Sequence, residues 1–372
     1  MRVLTPTSLP SRPSISLTDP LLDPDSLILV TGANGLIASH ITDQLLFAGF
    51  RVRGTVRSLS KSSYLTDLYE KRHGSDRFSL VQVSDLAVAN AWSEAVRGVS
   101  AVAHVLGAVD INVKNPDKVA QEELRWQYNL LEACAQQSSI QSFAFTSSAW
   151  AAWTPKAGQK VVLNGDSWND EALNDAREGK GDGMTGFMAL KMLVERGVWE
   201  WVEKHKPRFA FNALLVDTVM GECLDPAHQG IPSTAGMVQW VWENKYVDVL
   251  DMMQPQWHVN CRDMARVYVA ILATGERLDR ERVYVFGERY SWYKVAEILK
   301  DMYPERADKM ARPQDLGWSD AVVERDMGLE LLKRVGQSQW TSLETSVDEN
   351  AKSWLKLEKG GLTSHKYGDF AN

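Results

Sequence analysis

The sequence predicts an α/β protein built on a doubly wound parallel sheet, and three neighbouring features carry that prediction. Residues 27–30 form a short apolar run without polar alternation, which is typical of a strand buried on both faces. A glycine-rich turn containing Gly32 and Gly35 follows, and apolar residues then continue at helical spacing to Gly49. A buried strand, a tight turn and a helix N-terminus together suit a dinucleotide pyrophosphate. The alternative is an ordinary strand–helix turn that happens to contain glycines.

Composition excludes several classes of protein. The chain has 372 residues, of which 44% are hydrophobic, and a formal net charge of −7. The acidic balance without a basic block argues against binding to nucleic acid or to an anionic membrane, and no apolar run is long enough to span a membrane. The three cysteines are scattered, and the seven histidines show no metal-ligand spacing. We therefore expect a cytoplasmic protein without a metal.

The chain divides into three predicted parts. Residues 1–25 are rich in Pro, Ser and Thr, lack a signal-peptide pattern, and are predicted to be a flexible tail or an arm on the surface. Residues 26–220, together with about 255–286, are predicted to form a Rossmann domain. Residues 221–254 and 287–372 are predicted to form a smaller, mostly helical substrate lobe. This lobe contains Trp240, Trp242, Trp257, Trp292 and Trp318.

The second predicted strand, residues 51–56, ends in a basic segment. The end of this strand is where a Rossmann fold contacts the adenosine ribose, and an acidic residue there would favour NAD. The chain instead has Arg57 and Lys61, with no acidic residue between them. A guanidinium and an ammonium suit a 2′-phosphate, which favours NADP(H). The alternative is a solvated basic loop.

Later strands end in polar residues, and open parallel sheets bind ligands at those ends. Asp85 follows a strand at 78–83 and either contacts the adenine or caps a helix starting at Leu86. His104 lies at the end of a strand at 101–105 and is either an acid–base group or a core histidine. The strand at 143–148 ends in Ser147 and Ser148. Asp217 follows a strand at 209–216 and is either an acid–base group or a cap for the next turn, and a seventh strand is predicted at 283–286.

Two helices and a long loop complete the predicted elements. One helix covers about 117–136, and residues 154–183 are predicted to form a loop. A second helix covers 184–204, with an apolar stripe at Leu190, Val194, Val198, Trp201 and Val202. Lys191 lies on or beside this stripe and is either a surface lysine or a buried functional ammonium.

Taken together, these segments resemble an extended short-chain dehydrogenase/reductase of the NAD-dependent epimerase/dehydratase family. The chain is most similar to the branch that contains dihydroflavonol, aldehyde and methylglyoxal reductases, over about residues 26–358. The segments that carry the resemblance are 31–38, Arg57 with Lys61, Asp85-Leu86, 145–149, 166–169, 259–265 and 340–347.

The resemblance implies NADPH-dependent reduction of an aldehyde or ketone by a Ser and a Tyr-x-x-x-Lys pair. On this chain the serine is Ser148, with Ser147 as the second choice, and the lysine is Lys191. The tyrosine position is Phe187, which has no ionisable group, so the family's proton donor is missing. The cofactor-binding residues that the resemblance implies are Thr31, Gly32, Asn34, Gly35, Leu36, Ile37, Arg57, Lys61, Asp85, Leu86, Val105, Ser147 and Lys191.

Three functions remain open at this point. The first is carbonyl reduction with another proton donor, and we favour it because Gly32, Gly35 and Arg57 are retained. The second is a non-redox isomerase, dehydratase or cyclase that uses Asp217, His104 or Ser148. The third is an NADP(H)-binding pseudoenzyme. The tryptophans near the predicted pocket favour a small hydrophobic substrate, an aromatic or polyketide-like secondary metabolite, and the alternative is that they only pack the lobe. The protein is expected to be a monomer or homodimer. For the first function the substitute donors are Thr185, Asp182, His104, Ser148 or an ordered water.

Overall fold

The computed structural model describes residues 15, 17, 19–275 and 277–361. Seven of its strands form one parallel sheet, three form a second sheet, and two short strands pair separately. In chain order the strands are β1 (Leu27–Val30), β2 (Arg51–Val56), β3 (Phe78–Gln82), β4 (Ala101–His104), β5 (Ser142–Ser148), β6 (Val162–Leu163), β7 (Ala210–Val216), β8 (Thr218–Met220), β9 (Gln256–Asn260), β10 (Arg282–Val285), β11 (Glu288–Tyr290) and β12 (Val322–Val323).

The helices cover both faces of the large sheet and form most of the C-terminal part. They are α1 (Leu36–Phe47), α2 (Leu59–Ser62), α3 (Tyr64–His73), α4 (Pro116–Ala135), α5 (Asp170–Arg177), α6 (Gly183–His205), α7 (Pro226–Gln229), α8 (Thr234–Glu243), α9 (Val247–Met252), α10 (Cys261–Ala273), α11 (Trp292–Met302), α12 (Asp326–Arg334) and α13 (Leu343–Lys359). Two 3₁₀ segments, Ala149–Ala151 and Pro304–Lys309, join them.

The large sheet has the strand order β10-β7-β5-β4-β1-β2-β3, and every pairing in it is parallel. The chain moves outward from β1 through β2 to β3 and then returns to β4 on the other side of β1. The strand order therefore reverses between β1 and β4. Open α/β sheets bind ligands at such a reversal, outside the carboxyl ends of the strands. This topology confirms the predicted fold class.

The large sheet also confirms the individual predicted strands. All seven have boundaries within one residue of the prediction, and the helices at 116–135 and 183–205 match equally well. In β1, Ile28, Leu29 and Val30 are completely buried, as the unbroken apolar run requires. All five stripe residues of α6 are buried against the sheet.

The loop predicted at 154–183 is wrong in part. Asp170–Arg177 forms helix α5, which Asn169 caps by accepting a hydrogen bond from the Ala172 N–H. Ala172 and Leu173 of this helix pack into a small cluster with α6. The segment is short and has only three apolar residues, Ala172, Leu173 and Ala176, so its helix depends on tertiary packing. The helix considered after Asp85 is also absent, since residues 86–98 form turns.

Two segments lie near the borders of the predicted parts of the chain: β9 with α10, and the residues just before β1. The second sheet has the order β11-β9-β8, so β9 pairs outside the large sheet while α10 packs on α1 beneath it. Residues 1–14 of the predicted tail lie outside the described residues. Nearer the sheet, Leu22 is buried and Pro20 forms a bridge with Thr274. No helix among the described residues is long and apolar enough to cross a membrane.

Candidate active site

The glycine turn lies at the carboxyl end of β1, where the strand order reverses. Gly32 has φ +67°, and a Cβ there would stand 2.7 Å from the Leu106 side chain. Gly35 precedes α1 in an extended conformation, and no side chain of the described residues caps the helix. The first N–H groups of α1, including those of Leu36 and Ile37, are therefore available to an anion. A turn without side chains below an uncapped helix fits a pyrophosphate.

A buried chain of hydrogen bonds connects this turn to β4. The Thr31 hydroxyl accepts from the N–H of Val105 at 2.9 Å and donates to Nδ1 of His104 at 2.9 Å. Nε2 of His104 donates to Gln127 Oε1 at 2.6 Å. Burial lowers the pKa of His104 to about 4. His104 is thus a neutral imidazole with both nitrogens bonded, which favours the core-histidine alternative.

The carboxyl end of β2 presents the two basic residues predicted there. Arg57 follows the strand directly, Lys61 lies in α2, and both are exposed. Among the described residues, no carboxylate lies within ion-pair distance of either. Asp85, after β3, is exposed and accepts a hydrogen bond from the Ala87 N–H at 2.9 Å, which forms a local turn at Leu86. Two free cations beside the turn suit a phosphate monoester.

Two residues of the predicted lobe contact this end of the crevice, and neither was predicted from the sequence to do so. Gln229 of α7 donates to the backbone carbonyl of Asn34 at 3.2 Å, within the glycine turn. The His228 ring stacks on Tyr64 of α3 with 4.5 Å between ring centroids. The segment around α7 therefore lies against the predicted nucleotide crevice.

The two serines at the end of β5 face opposite sides of the sheet. The Ser147 hydroxyl donates to Glu195 of α6 at 2.7 Å, and Glu195 forms a buried ion pair with Arg282. Because strand side chains alternate, Ser148 points to the other face. Its oxygen accepts from the Trp150 N–H at 3.2 Å, which leaves its own proton free to be donated. Ser147 is engaged in the packing of α6, and Ser148 is the serine that remains available.

Helix α6 carries Phe187 and Lys191 one turn apart on the same side. The Lys191 ammonium donates to the Ala108 carbonyl at 2.6 Å and lies 4.9 Å from the centre of the Phe187 ring. The Phe187 ring packs edge-on against Trp150, with 5.9 Å between ring centroids. Burial lowers the pKa of Lys191, and the charge of Glu123 opposes that shift. The ammonium therefore points into the loop that follows β4, rather than into solvent.

Two of the predicted substitute donors have a structural role. Asp182 and Thr185 form a reciprocal capping box at the start of α6, with the Thr185 N–H donating to Asp182 Oδ1 at 3.0 Å. The loop after β4 fits tightly above them, because a Cβ on Gly186 would overlap the Val113 carbonyl oxygen at 1.9 Å. The two residues fix where α6 begins.

Asp217 lies directly after β7, one residue beyond Val216. Val216 pairs in register with Ser148 on β5, so Asp217 lies at the same carboxyl edge of the sheet, one residue beyond the level of that serine. Oδ2 of Asp217 accepts from the Trp257 N–H at 3.0 Å. Burial raises the pKa of Asp217 to about 7. A carboxyl group with this pKa carries a proton for part of the time at neutral pH, which suits an acid–base group.

Glu123, which lies under the loop after β4, was not predicted from the sequence. It is on the buried face of α4, one turn before Gln127. A carboxylate and an amide at helical spacing within a mostly apolar stripe were the available signal. The predicted lobe tryptophans show the opposite error: Trp240, Trp242, Trp257 and Trp292 are buried in cores, and Trp318 is 47% exposed. The four buried tryptophans pack cores, so they are no evidence for an aromatic substrate.

The topology and this crevice define a Rossmann-type protein with a second, C-terminal part. Comparison with known proteins agrees with that class. The family model described as "NAD dependent epimerase/dehydratase family" matches residues 28–287. The chain belongs to this family.

Individual relatives and solved structures are similar over almost the whole chain. Aldehyde reductase 2 of Sporidiobolus salmonicolor is 31% identical over 337 residues, which cover 88% of this chain and 96% of that protein. Ketoreductase adrE of Penicillium roqueforti is 36% identical over 340 residues, with the same coverage. Gre2 from Candida albicans, solved in complex with NADPH, superposes with a TM-score of 0.77 at 20% identity and covers 92% of this chain and 100% of its own.

Proposed function

We propose that the chain is an NADP(H)-dependent oxidoreductase that acts on a carbonyl group of a hydrophobic small molecule. The observation that carries this proposal is the position of Lys191. Its ammonium reaches the loop after β4, beside the strand ends where the glycine turn would bind a pyrophosphate. The named aldehyde reductase and ketoreductase relatives support the same reaction class.

NADP(H) is the proposed cofactor, and this chain's residues fit it. The glycine turn and the uncapped start of α1 accommodate a pyrophosphate, while Arg57 and Lys61 would bind the 2′-phosphate. When bound, the cofactor supplies or accepts the hydride. Lys191 and Val105 would contact the part of the cofactor next to the reacting carbonyl.

We propose that Phe187 occupies the position of the family's tyrosine, so the proton must come from another group. Ser148 would hold the carbonyl oxygen through its free hydroxyl proton. Asp217, which the sequence analysis considered for the non-redox reaction, is the donor proposed here: its pKa is raised to about 7, whereas His104 is a neutral core imidazole and Asp182 and Thr185 cap α6. Its carboxyl would give its proton to the carbonyl oxygen as the hydride reaches the carbon.

The substrate is proposed to be apolar around its carbonyl. The loop after β4 presents Val109 with 73% of its surface exposed, and Leu106 and Ile111 beside it are half-buried. Trp150 and Phe187 provide an aromatic wall opposite. An apolar loop and an aromatic wall favour a hydrophobic ligand over a charged or sugar-like one.

The test combines binding and turnover. NADPH and NADH are titrated by fluorescence into the native protein and into Lys191→Met, and NADPH oxidation is followed with a panel of aromatic and aliphatic aldehydes and ketones. We expect tighter binding of NADPH than NADH, carbonyl-dependent oxidation by the native protein, and loss of that oxidation in Lys191→Met. Binding of NADPH without oxidation by any substrate would contradict the proposal and support the pseudoenzyme alternative.

A second candidate is a non-redox proton transfer, and the raised pKa of Asp217 favours it. In this reaction Asp217 would remove or add a proton without net change in the nucleotide. The two functions differ in stoichiometry: a reductase consumes one NADPH for each product formed, whereas an isomerase or dehydratase consumes none.

A further inference from the structure

Glu123 is a buried carboxylate with no cation in contact. Its side chain is 3% exposed, and among the described residues no Lys, Arg or His nitrogen lies within ion-pair distance of it. Its hydrogen-bond partners are the Ala108 N–H at 3.2 Å and the Gln127 amide at 3.4 Å. Burying a carboxylate that has no cation in contact is costly, even when it is hydrogen-bonded. A buried carboxylate of this kind therefore needs a compensating positive charge nearby.

The Ala108 peptide links Glu123 to Lys191. The carboxylate accepts from the N–H of Ala108, and the ammonium donates to its carbonyl at 2.6 Å. The two groups also approach the same point, because a Cβ on Gly107 would stand 3.2 Å from the Lys191 Nζ and 3.5 Å from Glu123 Oε1. Gly107 thus leaves both charged ends close to the loop backbone, where a Cβ would make a tight contact with the ammonium.

The charged groups on the other elements around Lys191 are neutralised elsewhere. On α6, Glu195 pairs with Arg282, and on α5, Asp170 pairs with Arg196. On β4, His104 is neutral. The 3₁₀ segment 149–151 contains no ionisable side chain. Glu123 is therefore the carboxylate that faces Lys191 from a packed neighbour within the described part of the chain.

We propose that Glu123 is the positioning residue for Lys191. Its carboxylate fixes the Ala108 peptide whose carbonyl receives the ammonium, and its negative charge keeps that ammonium protonated in a half-buried place. The chain of Glu123, Gln127, His104 and Thr31 continues this support to the first residue of the glycine turn. The proposal rests on the proposed function only for the role of Lys191 in catalysis.

The test measures the protonation of Lys191 directly. Acetic anhydride labels neutral amines, so the labelling rate of Lys191, read by peptide mass spectrometry across pH, reports its pKa. We expect Glu123→Gln to move this curve to lower pH, so that labelling at pH 7.5 rises about tenfold or more, since one pKa unit is a factor of ten. Glu123→Asp, which keeps the charge, should stay within about threefold of the native rate.

Two controls separate charge from loosening. Glu122→Gln removes an exposed carboxylate one residue away and should leave the Lys191 curve unchanged, and Lys352 on α13 serves as an internal reference. If the maximum labelling rate of Lys191 rises while the midpoint pH of its curve stays the same, Glu123→Gln only exposes the lysine. If the whole curve is unchanged, the charge of Glu123 does not affect the pKa of Lys191. Either result overturns the proposal.

If Glu123→Gln does not fold, Lys191→Met provides the second measurement. It removes the ammonium that faces the buried Glu123 carboxylate, so the cost of burying that negative charge is no longer offset. Stability relative to the native chain should then be lowest at pH 8 and recover on acidification; a difference independent of pH would overturn the proposal. Neither measurement needs NADPH or turnover, so a failed reductase assay does not decide the role of Glu123.

Discussion

The two ends of the crevice differ in the chemical groups that form them, mainly backbone at one end and side chains at the other. At the proposed nucleotide end, two features belong to the backbone, the positive φ of Gly32 and the uncapped helix after Gly35. Two exposed cations after β2 complete this end. At the reaction end, Glu123 of α4 and Lys191 of α6 meet at the loop after β4, while Ser148 and Asp217 lie at the ends of β5 and β7. The first end therefore depends on residues within the stretch 31–61, and the other depends on residues spread from 106 to 217.

This difference explains why the two ends tolerate change differently. A glycine turn loses its function with any bulky side chain, because the pyrophosphate needs close approach to the backbone. A proton donor needs only a pKa near the working pH and a correct distance, so several residue types can serve. The proposed replacement of a phenol by Phe187 would thus be compatible with the proposed nucleotide site, and variants at both ends test that contrast.

The largest effect is expected from Phe187→Tyr. The added phenol would lie beside the Lys191 ammonium, which should lower its pKa and make it an acid catalyst. NADPH oxidation with simple aldehydes should rise by about 10²–10⁴-fold, the range for general acid catalysis. Phe187→Leu, which removes the ring and adds no hydroxyl group, is the control and should show no gain.

A Phe187→Tyr protein that folds and binds NADPH but oxidises none would show that the reaction end has lost its hydride geometry. The oxidoreductase proposal would then be abandoned. A gain in Phe187→Leu equal to that in Phe187→Tyr would instead attribute the effect to space rather than to a proton donor.

The next effect is on the nucleotide end. Gly35 has φ −78°, and a Cβ there meets only the Gly32 carbonyl oxygen at 3.4 Å, so Gly35→Val should fold. Its side chain would keep an anion away from the first N–H groups of α1. Losing two hydrogen bonds to a charged group costs about 3 kcal/mol or more, so NADPH affinity measured by fluorescence should fall at least about 100-fold. Gly165→Val, at a glycine with no neighbour within 4 Å, is the control; unchanged affinity in Gly35→Val would place the nucleotide elsewhere.

A smaller and more selective effect is expected at the basic end of β2. Arg57→Ala should weaken NADPH binding by about 1.5–3 kcal/mol, the range for hydrogen bonds to charged groups, and leave NADH binding almost unchanged. Calorimetric titration with both nucleotides measures this. Arg51→Ala, at the other end of the same strand, should affect neither. Equal losses for NADPH and NADH would remove Arg57 from 2′-phosphate recognition.

The smallest effect concerns stability and pH. Because burial raises the pKa of Asp217 to about 7, against about 4 in the unfolded chain, ionisation of this carboxyl favours unfolding as pH rises between these values. The melting temperature of Asp217→Asn relative to the native protein should therefore increase by a few degrees from pH 4 to pH 8. Asp85→Asn, at an exposed carboxylate, should show no such trend. If the difference in melting temperature between Asp217→Asn and the native protein does not change from pH 4 to pH 8, Asp217 is ionised in the folded protein throughout that range.

Much of the fold could be predicted because its signals are local. The large sheet was predictable from buried apolar runs, and α6 from its stripe of apolar residues. Helix α5 was not predictable in the same way, since its stability comes from contact with α6 rather than from its own pattern. The tryptophans were misassigned to the pocket because composition does not report which side of a helix faces a core.

The sequence by itself determined the class of fold, the glycine turn and the basic end of β2, because each depends on residues adjacent along the chain. The tertiary structure decided which candidate side chains are free to react. It engaged Ser147 with Glu195, bonded both nitrogens of His104, used Asp182 and Thr185 to cap α6, and brought Glu123 under the loop that holds Lys191. The physical reason is that hydrogen bonding and burial fix a side chain's proton affinity, and both depend on neighbours that only folding supplies.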